Sequence, residues 1–419
     1  MYVCGPTVYS DIHIGNTRPM IVFDTLRRLF EELGYDVKYV SNYTDVDDKI
    51  INEAKKRDIS ELELTDEMIL RVEKIRKLLN TEKLYKTPRV TETMEDIISF
   101  IDELVMGGYA YEVDGDVFFR TNSIDDYGSL SNQILDDLKA GARIEENSKK
   151  ESPLDFVLWK KTEEGIKWKS RYSIGRPGWH TECVVMIHKE LGDVIDIHGG
   201  GKDLRFPHHE NERAQAKALY KTGLANYWMH NGMIDLDGVK MSKSLGNIMK
   251  AKDALENYDA MVIRWLLLSA HYRQDLNVSD EIIKSSETEL NKVLNSLRQA
   301  QLKLALNDQE IKDHESEYYG RFMEAMEDDM NTPNAYSVIF DIVKVINQTV
   351  RSKDVDMQRL SELTASLMKM LDVLGISYHH LTLTVEDRSI YEKWQEAKSQ
   401  KDFESADKYR EILQERGIL

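Results

Sequence analysis

Cysteine is scarce in this chain: Cys4 and Cys183 are the only two in 419 residues. Two cysteines cannot staple a disulfide scaffold, so that class is excluded. No apolar run approaches the roughly 18 residues that a membrane-spanning helix needs. The run Trp265-Leu266-Leu267-Leu268 reads as a short helical patch. The N-terminus also lacks the basic-then-apolar order of a signal peptide, so a cytoplasmic location without a membrane partner is expected. Positive charge is outnumbered, with 56 Lys+Arg against 74 Asp+Glu and a formal net charge of −18. That balance argues against a nucleic-acid binder driven by overall charge, while leaving room for a local basic groove. What is present is a hydrophobic fraction of 41%, enough for a core in each of about two to four domains at roughly 100–200 residues apiece. A residue type used only twice invites the question of what it is used for.

The first fifty residues read as strand, helix, strand. Tyr2-Val3-Cys4 is a short β-favouring run ended by Gly5-Pro6. Val22, Leu26, Leu29, Phe30 and Leu33 recur at helical spacing up to Gly34, and residues 36–41 resume as a strand. Such a βαβ unit opens a doubly wound parallel sheet. Residues 91–107 are expected to be helical, and 109–120 alternate around Asp114-Gly115 as an antiparallel hairpin. A hairpin does not belong within a parallel series, so residues from about 90 to 178 read as an insertion. Residues 194–198 and 227–230 return to strand chemistry, the former running into a glycine turn at Gly199-Gly200-Gly201. Beyond about residue 250 the chain becomes charged and helical, with apolar spacing of three and four in 279–306, 317–329, 335–350, 357–374 and 387–416. The fold class expected is therefore α/β: a doubly wound, Rossmann-like nucleotide-binding domain with an α+β insertion, followed by an α-helical bundle. Periodicity leaves open whether that bundle serves packing, dimerisation or RNA binding.

His13-Ile14-Gly15-Asn16 falls between the first strand and its helix, at the sheet edge where doubly wound folds take ligands. Gly15 admits close backbone approach, the helix start offers free N–H groups, and His13 can reach a phosphate. Alone, the tetrapeptide reads equally well as an ordinary turn. Lys240-Met241-Ser242-Lys243-Ser244, just after a Leu236-Asp237-Gly238-Val239 turn, concentrates two cations and two hydroxyls suited to a triphosphate, although a lone loop of this kind is commonly a solvated turn. Together the two runs resemble the signatures of the class I aminoacyl-tRNA synthetases, in which they bind ATP and drive adenylate formation. The usual first signature ends in His where this chain has Asn16, which is expected still to donate a hydrogen bond.

Cys4, Cys183, His208 and Glu212 make a donor set that zinc accepts, with His208 and Glu212 four apart on one face of a helix beginning near Pro207. The plainer readings are a free core cysteine and a surface His/Glu pair. A zinc-protease motif fails, because Arg213 stands where His-Glu-x-x-His needs its second histidine. The runs Cys-Gly-Pro-Thr-Val-Tyr (4–9), Thr-Asp-Val-Asp-Asp-Lys-Ile (44–50), Gly-Trp-His-Thr-Glu-Cys (178–183), Asp-Ile-His-Gly-Gly-Gly-Lys-Asp (196–203) and Phe-Pro-His-His-Glu-Asn-Glu (206–212) resemble the cysteinyl-tRNA synthetases. The resemblance covers Met1 to about Arg273 closely and runs more loosely to about 416. It implies one zinc ion (Zn2+) per chain, held by Cys4, Cys183, His208 and Glu212, that binds the thiol of substrate L-cysteine. Thr44, Trp179 and His180 would wall the amino-acid pocket. His13, Gly15, Asn16, His198, Gly200, Asp203, Lys240, Ser242 and Lys243 would contact ATP, with His13, Asn16, Lys240 and Lys243 catalytic. Asp45, Asp47 and Asp48 read as structural neighbours of the site or, alternatively, as a magnesium site; Mg2+ is expected to arrive with ATP.

The resemblance also implies an organisation: a catalytic domain at 1–232, a loop and stem-contact region at 233–285, a tRNA-binding helical bundle at 286–378, and a C-terminal helical segment at 379–419. Family members usually carry a lead-in strand before the position of Cys4 and a short β-like tail beyond the helix ending near Arg416. Neither is present here, so a truncated anticodon-binding region is expected. The expected partners are ATP, L-cysteine and tRNA-Cys, for a monomer. Two rival readings stay open: a ligase that joins cysteine to a small-molecule amine, as in mycothiol synthesis, and a non-catalytic nucleotide- or RNA-binding paralogue.

Overall fold

The structure, a computed structural model, describes residues 1–133, 149–240, 247–312 and 314–419. The chain divides into two compact units, one comprising residues 1–27, 34–257 and 273–277, the other residues 28–33, 258–272 and 278–419.

The first unit begins with β1 (Tyr2–Val3), α1 (Ile14–Glu32) and β2 (Val40–Ser41), followed by α2 (Asp48–Arg57), α3 (Glu61–Leu78) and α4 (Met94–Met106). An antiparallel group comes next: β3 (Ala110–Val113), β4 (Asp116–Phe119), β5 (Phe156–Lys161), β6 (Trp168–Lys169) and β7 (Ile174–Pro177). Then come α5 (Trp179–Leu191), β8 (Ile195–Gly201), α6 (Glu210–Leu219), β9 (Ala225–Asn231), β10 (Ile234–Leu236), β11 (Val239–Lys240) and α7 (Ala251–Asn257).

The parallel sheet has the order β2-β1-β8-β9. Strand β1 sends its chain to β2 on one side and has β8 on the other, so the order reverses at β1. Doubly wound folds bind ligands at the carboxyl ends of strands flanking such a reversal. Cys4 leaves β1 there, with its N–H donating to Gly199 O at 3.1 Å.

The hairpin expected at Asp114-Gly115 is β3–β4, with both turn residues at positive φ (55° and 89°). Its five-stranded sheet shares one hydrophobic core with the parallel sheet, in which Phe119, Phe156 and Trp159 pack in the same cluster as Tyr2, Val40, Val184 and Ile195.

Three sequence expectations need correction. Only Val40 and Ser41 of the expected 36–41 strand are paired, because β1 offers two residues to pair with. Gly199-Gly200-Gly201 is no turn but the end of β8, in register with Met229, His230 and Asn231 of β9. Glycine is needed at 199 because a Cβ there would overlap the Phe23 ring on α1. The segment 387–416 is two helices, interrupted at Lys401 (φ 60°) and restarted by the Asp402 side chain, which accepts from Ser405 N at 3.2 Å.

The second unit is helical: α8 (Ala260–Leu268), α9 (Asp280–Leu306), α10 (Glu317–Glu327), α11 (Thr332–Arg351), α12 (Met357–Leu374), α13 (Val385–Gln400) and α14 (Phe403–Glu415). Trp265 stacks on Tyr336 at 3.9 Å between ring centroids, and the Tyr336 hydroxyl donates to Trp265 O at 2.8 Å. Ser279, Asn331, Asp356 and Thr384 cap four of these helices through their side chains. Among the described residues no helix is long and apolar enough to cross a membrane.

Gly199→Ala is expected to destabilise the protein by about 1–3 kcal/mol through overpacking, measured by thermal unfolding, and Phe23→Leu in the same chain should recover part of the loss.

Candidate metal centre and nucleotide cleft

Three elements converge behind the edge of the parallel sheet. Strand β1 delivers Cys4, the second turn of α5 delivers Cys183, and an irregular turn over Arg205–His209 feeds α6, delivering His208 and Glu212. The Phe206–Pro207 peptide within that turn is cis. Helix α6 is tied down from outside: Tyr127 Oη donates to Asn211 Oδ1 at 2.5 Å, Ser131 N and Oγ donate to buried Glu210 at 2.9 Å, and Arg213 pairs with Asp126 at 2.5 Å.

The four residues named from sequence meet, their donor atoms all within 4.8 Å of one another. Cys4 Sγ lies 3.7 Å from Cys183 Sγ and 3.6 Å from Glu212 Oε1, and Cys183 Sγ lies 3.7 Å from His208 Nε2. A tetrahedron with metal–sulfur bonds of roughly 2.3 Å and metal–nitrogen or metal–oxygen bonds of roughly 2.0 Å puts its donors roughly 3.3–3.8 Å apart. Three of the separations match, and the shorter one, 2.7 Å between His208 Nε2 and Glu212 Oε1, is a hydrogen bond. Glu212 has no exposed surface, and a carboxylate so placed is costly unless a cation or strong donors face it. The donor set thus fits a soft, tetrahedral divalent metal.

The charge state of the cluster follows from this crowding. The Cys4 hydrogen bond lowers Cys183 to about 6 against the opposing effect of burial, while burial and the Cys183 sulfur raise Cys4 well above the usual thiol range. Burial and the sulfur–sulfur contact thus oppose ionisation of both thiols at once. Burial alone would deprotonate His208, but the Glu212 carboxylate and Cys183 together raise it to about 10. Burial likewise opposes ionisation of Glu212, yet His208 and His198 hold it well below the usual carboxylate value.

In front of the cluster opens a cavity of about 960 Å³ lined by Cys4, Tyr9, His13, Asn16, Trp179 and Asp203 among others, including Gly15 and Lys250. The turn before α1 is closed by Asn16 Oδ1, which accepts from His13 N at 3.2 Å. His13 Nδ1 is buried without a partner, and burial lowers the imidazole pKa despite nearby Asp203. The ring is accordingly neutral at pH 7, a hydrogen-bonding group and not a charge. The chain that follows the Lys240–Ser244 run returns to this turn: Ile14 N donates to Met249 O at 3.0 Å and Ala251 N to Ile12 O at 2.9 Å.

The other sequence-named residues are divided between the cluster, the cavity wall and the surrounding structure. Trp179 stacks on His208 at 4.1 Å, and His180 Nδ1 lies 3.0 Å from His208 Nδ1, so both adjoin the donor set. Burial, with His208 beside it, lowers His180 to about 3. Thr44 is buried, its hydroxyl accepting from Asn42 Nδ2 at 3.2 Å, and it does not line the cavity. His198 and Gly200 do not line it either. Alternation along β8 turns both toward α6, where His198 meets Glu212 and Gly200 packs near His209; Gly201 lines the cavity instead. Asp45 accepts from Thr91, Asp47 caps α2 and Asp48 pairs with Arg176 and Lys160, so this acidic run is engaged structurally. Lys240 ends β11, while Ser242 and Lys243 lie outside the described residues. Sequence reading missed His209, 3.4 Å from Cys4 Sγ, and His230, 2.8 Å from His209. The doubled His208-His209 was the available signal for the first, whereas His230 needed the β8–β9 register.

Residues 1–288 match the family of class I (C) tRNA synthetase catalytic domains, and residues 321–378 match the DALR domain. A cysteine–tRNA ligase of Oceanobacillus iheyensis is 45% identical over all of this chain and 92% of its own length. That of Staphylococcus carnosus is 44% identical with the same coverage. The chain belongs to the cysteine–tRNA ligase family. The solved methionyl-tRNA synthetase of Mycobacterium tuberculosis, in complex with methionyl-adenylate, shares the fold, with a TM-score of 0.63 and 16% identity over 89% of each chain. In this member of the cysteine–tRNA ligase family, both the candidate metal-ligand cluster and the cavity-lining turn fall within the matched catalytic domain.

Metal binding needs His208 neutral and Cys4 ionised, whereas the metal-free site holds a proton on each at pH 7. Titrating zinc into metal-free protein should therefore release protons, and affinity should fall as the pH is lowered. A pH indicator in weak buffer reads the release.

Proposed function

We propose that the chain activates L-cysteine with ATP to cysteinyl-adenylate, releasing pyrophosphate, and transfers the cysteinyl group to the 3′ end of tRNA-Cys. The observation that carries this reading is the shared cavity: a two-sulfur, imidazole and carboxylate cluster opens, through Cys4, onto the cleft lined by His13, Gly15 and Asn16. Zinc, one per chain, held by Cys4, Cys183, His208 and Glu212, would supply a borderline-soft Lewis acid that favours a thiolate over a serine hydroxyl. Shape alone discriminates such a small difference by only ~1–3 kcal/mol.

The chain's own residues do the rest by position and charge. The α1 N-terminus favours phosphate through the positive end of its helix dipole, Ile14 N and Asn16 N being already engaged by Met249 O and His13 O. Neutral His13 donates one hydrogen bond, and Asn16, with Oδ1 committed to the turn, has its amide N–H to give. Lys240, Ser242 and Lys243 meet the β- and γ-phosphates as negative charge builds on the departing pyrophosphate. The cysteine carboxylate attacks the α-phosphorus and expels pyrophosphate, and a terminal ribose hydroxyl then attacks the carbonyl of the adenylate, forming the ester and releasing AMP. Mg2+ accompanies ATP. Trp179 and His180 flank the amino acid, and Asp203 faces the nucleotide from the other wall; Thr44 supports the pocket from behind. The helical regions 286–378 and 379–419, with the stretch at 233–285, hold the tRNA. The protein acts as a cytoplasmic monomer.

Cysteine-dependent ATP–pyrophosphate exchange followed by charging of tRNA-Cys tests the whole reading. Both should occur, with serine supporting neither. Exchange without charging would favour a small-molecule acceptor, and absence of exchange would contradict the proposal. Lys243→Ala should slow exchange by about 10²–10³-fold, and an unchanged rate would remove its assigned role.

A further inference from the structure

Glu212 offers two oxygens, and only Oε1 faces His208 and Cys4. Its Oε2 lies 2.5 Å from Nε2 of His198. A carboxylate only accepts, so the proton in that contact sits on His198 Nε2. His198 has no exposed surface and does not line the cavity, so nothing about its place suits a nucleotide contact. Its ring stacks on Trp228 at 4.7 Å between centroids and meets Tyr2 edge-on at 5.5 Å. Its backbone is in register with Tyr2, two residues before Cys4. Packing and sheet register thus fix the imidazole on the same frame that carries a sulfur donor.

We propose that His198 is a positioning residue for the metal centre: its Nε2–H holds Oε2 of Glu212, so that Oε1 is the oxygen presented beside Cys4, Cys183 and His208. An untethered carboxylate can rotate, exchange its oxygens or chelate with both, and each alternative disturbs the donor set. Hydrogen bonds from outside a ligand shell orient ligands in this way, and their loss costs metal affinity. A competing assignment makes His198 a ligand itself, because donors of Cys4, His198, His209 and Glu212 also lie within 4.8 Å of one another. That arrangement would strand Cys183 and His208, both buried and both already directed at the first set.

The inference rests on the zinc reading above, and wild-type protein tests that part separately. Zinc is competed against a chromophoric chelator in wild type, His198→Gln and His198→Asn, and cobalt-substituted forms are compared by absorption. Glutamine can place an amide N–H near the Nε2 position, whereas asparagine is too short. The expected result is near-wild-type zinc retention in His198→Gln and about 10–100-fold weaker retention in His198→Asn. Thermal unfolding of the two metal-free variants should be alike, and the cobalt ligand-field bands should match wild type wherever metal is bound. Equal zinc retention in both variants overturns the positioning role, as does a cobalt spectrum altered in His198→Gln, which would make His198 a ligand. Failure of wild type to bind zinc removes the underlying reading together with this one.

Discussion

The site depends on the burial of one carboxylate. Glu212 sits without solvent contact among two sulfurs and two imidazoles, and its charge has to be met on both oxygens for the fold to tolerate it. His208 meets one oxygen and His198 the other, and the first of these contacts belongs to the donor set that fits a metal. Everything that brings α6 to the sheet edge serves that arrangement: the irregular turn at Arg205–His209, the Tyr127–Asn211 and Ser131–Glu210 bonds, and the Arg213–Asp126 ion pair.

The same sheet edge supplies the second half of the chemistry. Because the strand order reverses at β1, the end of β1, the end of β8 and the start of α1 face a common space. Glycine at 199 lets Phe23 of α1 lie against β8, and Gly201 lines the cavity beside Asp203. The donor cluster, through Cys4, and the turn at His13–Asn16 thereby share one cavity. Their proximity is a consequence of topology.

Much of this was legible in the sequence because it is carried by short runs of residues. Cys4, Cys183, His208 and Glu212 could be grouped by the chemistry of their side chains, and the 208–212 spacing is a helical repeat. Hairpins at Asp114-Gly115 and Asp237-Gly238 follow from turn chemistry, and both carry the positive φ angles that such turns require. What escaped was tertiary. Three consecutive glycines suggest a turn unless one knows that a phenylalanine packs against the middle of a strand. His198 looked like a nucleotide contact because its neighbours in sequence are glycines, yet strand alternation points it to α6. His230 becomes visible only when β9 is laid beside β8. The break at Lys401 lies within an otherwise helical period, and a single left-handed residue followed by a capping aspartate leaves that period intact.

The central claim is that the Cys4–Cys183–His208–Glu212 cluster recognises the substrate through its sulfur. Zinc-edge X-ray absorption of the zinc-loaded protein, recorded without and with L-cysteine, tests it most directly. The account predicts two sulfur and two lighter scatterers from these four residues, and one additional sulfur at bonding distance when cysteine, but not serine, is added. An unchanged first shell in the presence of saturating cysteine would contradict it.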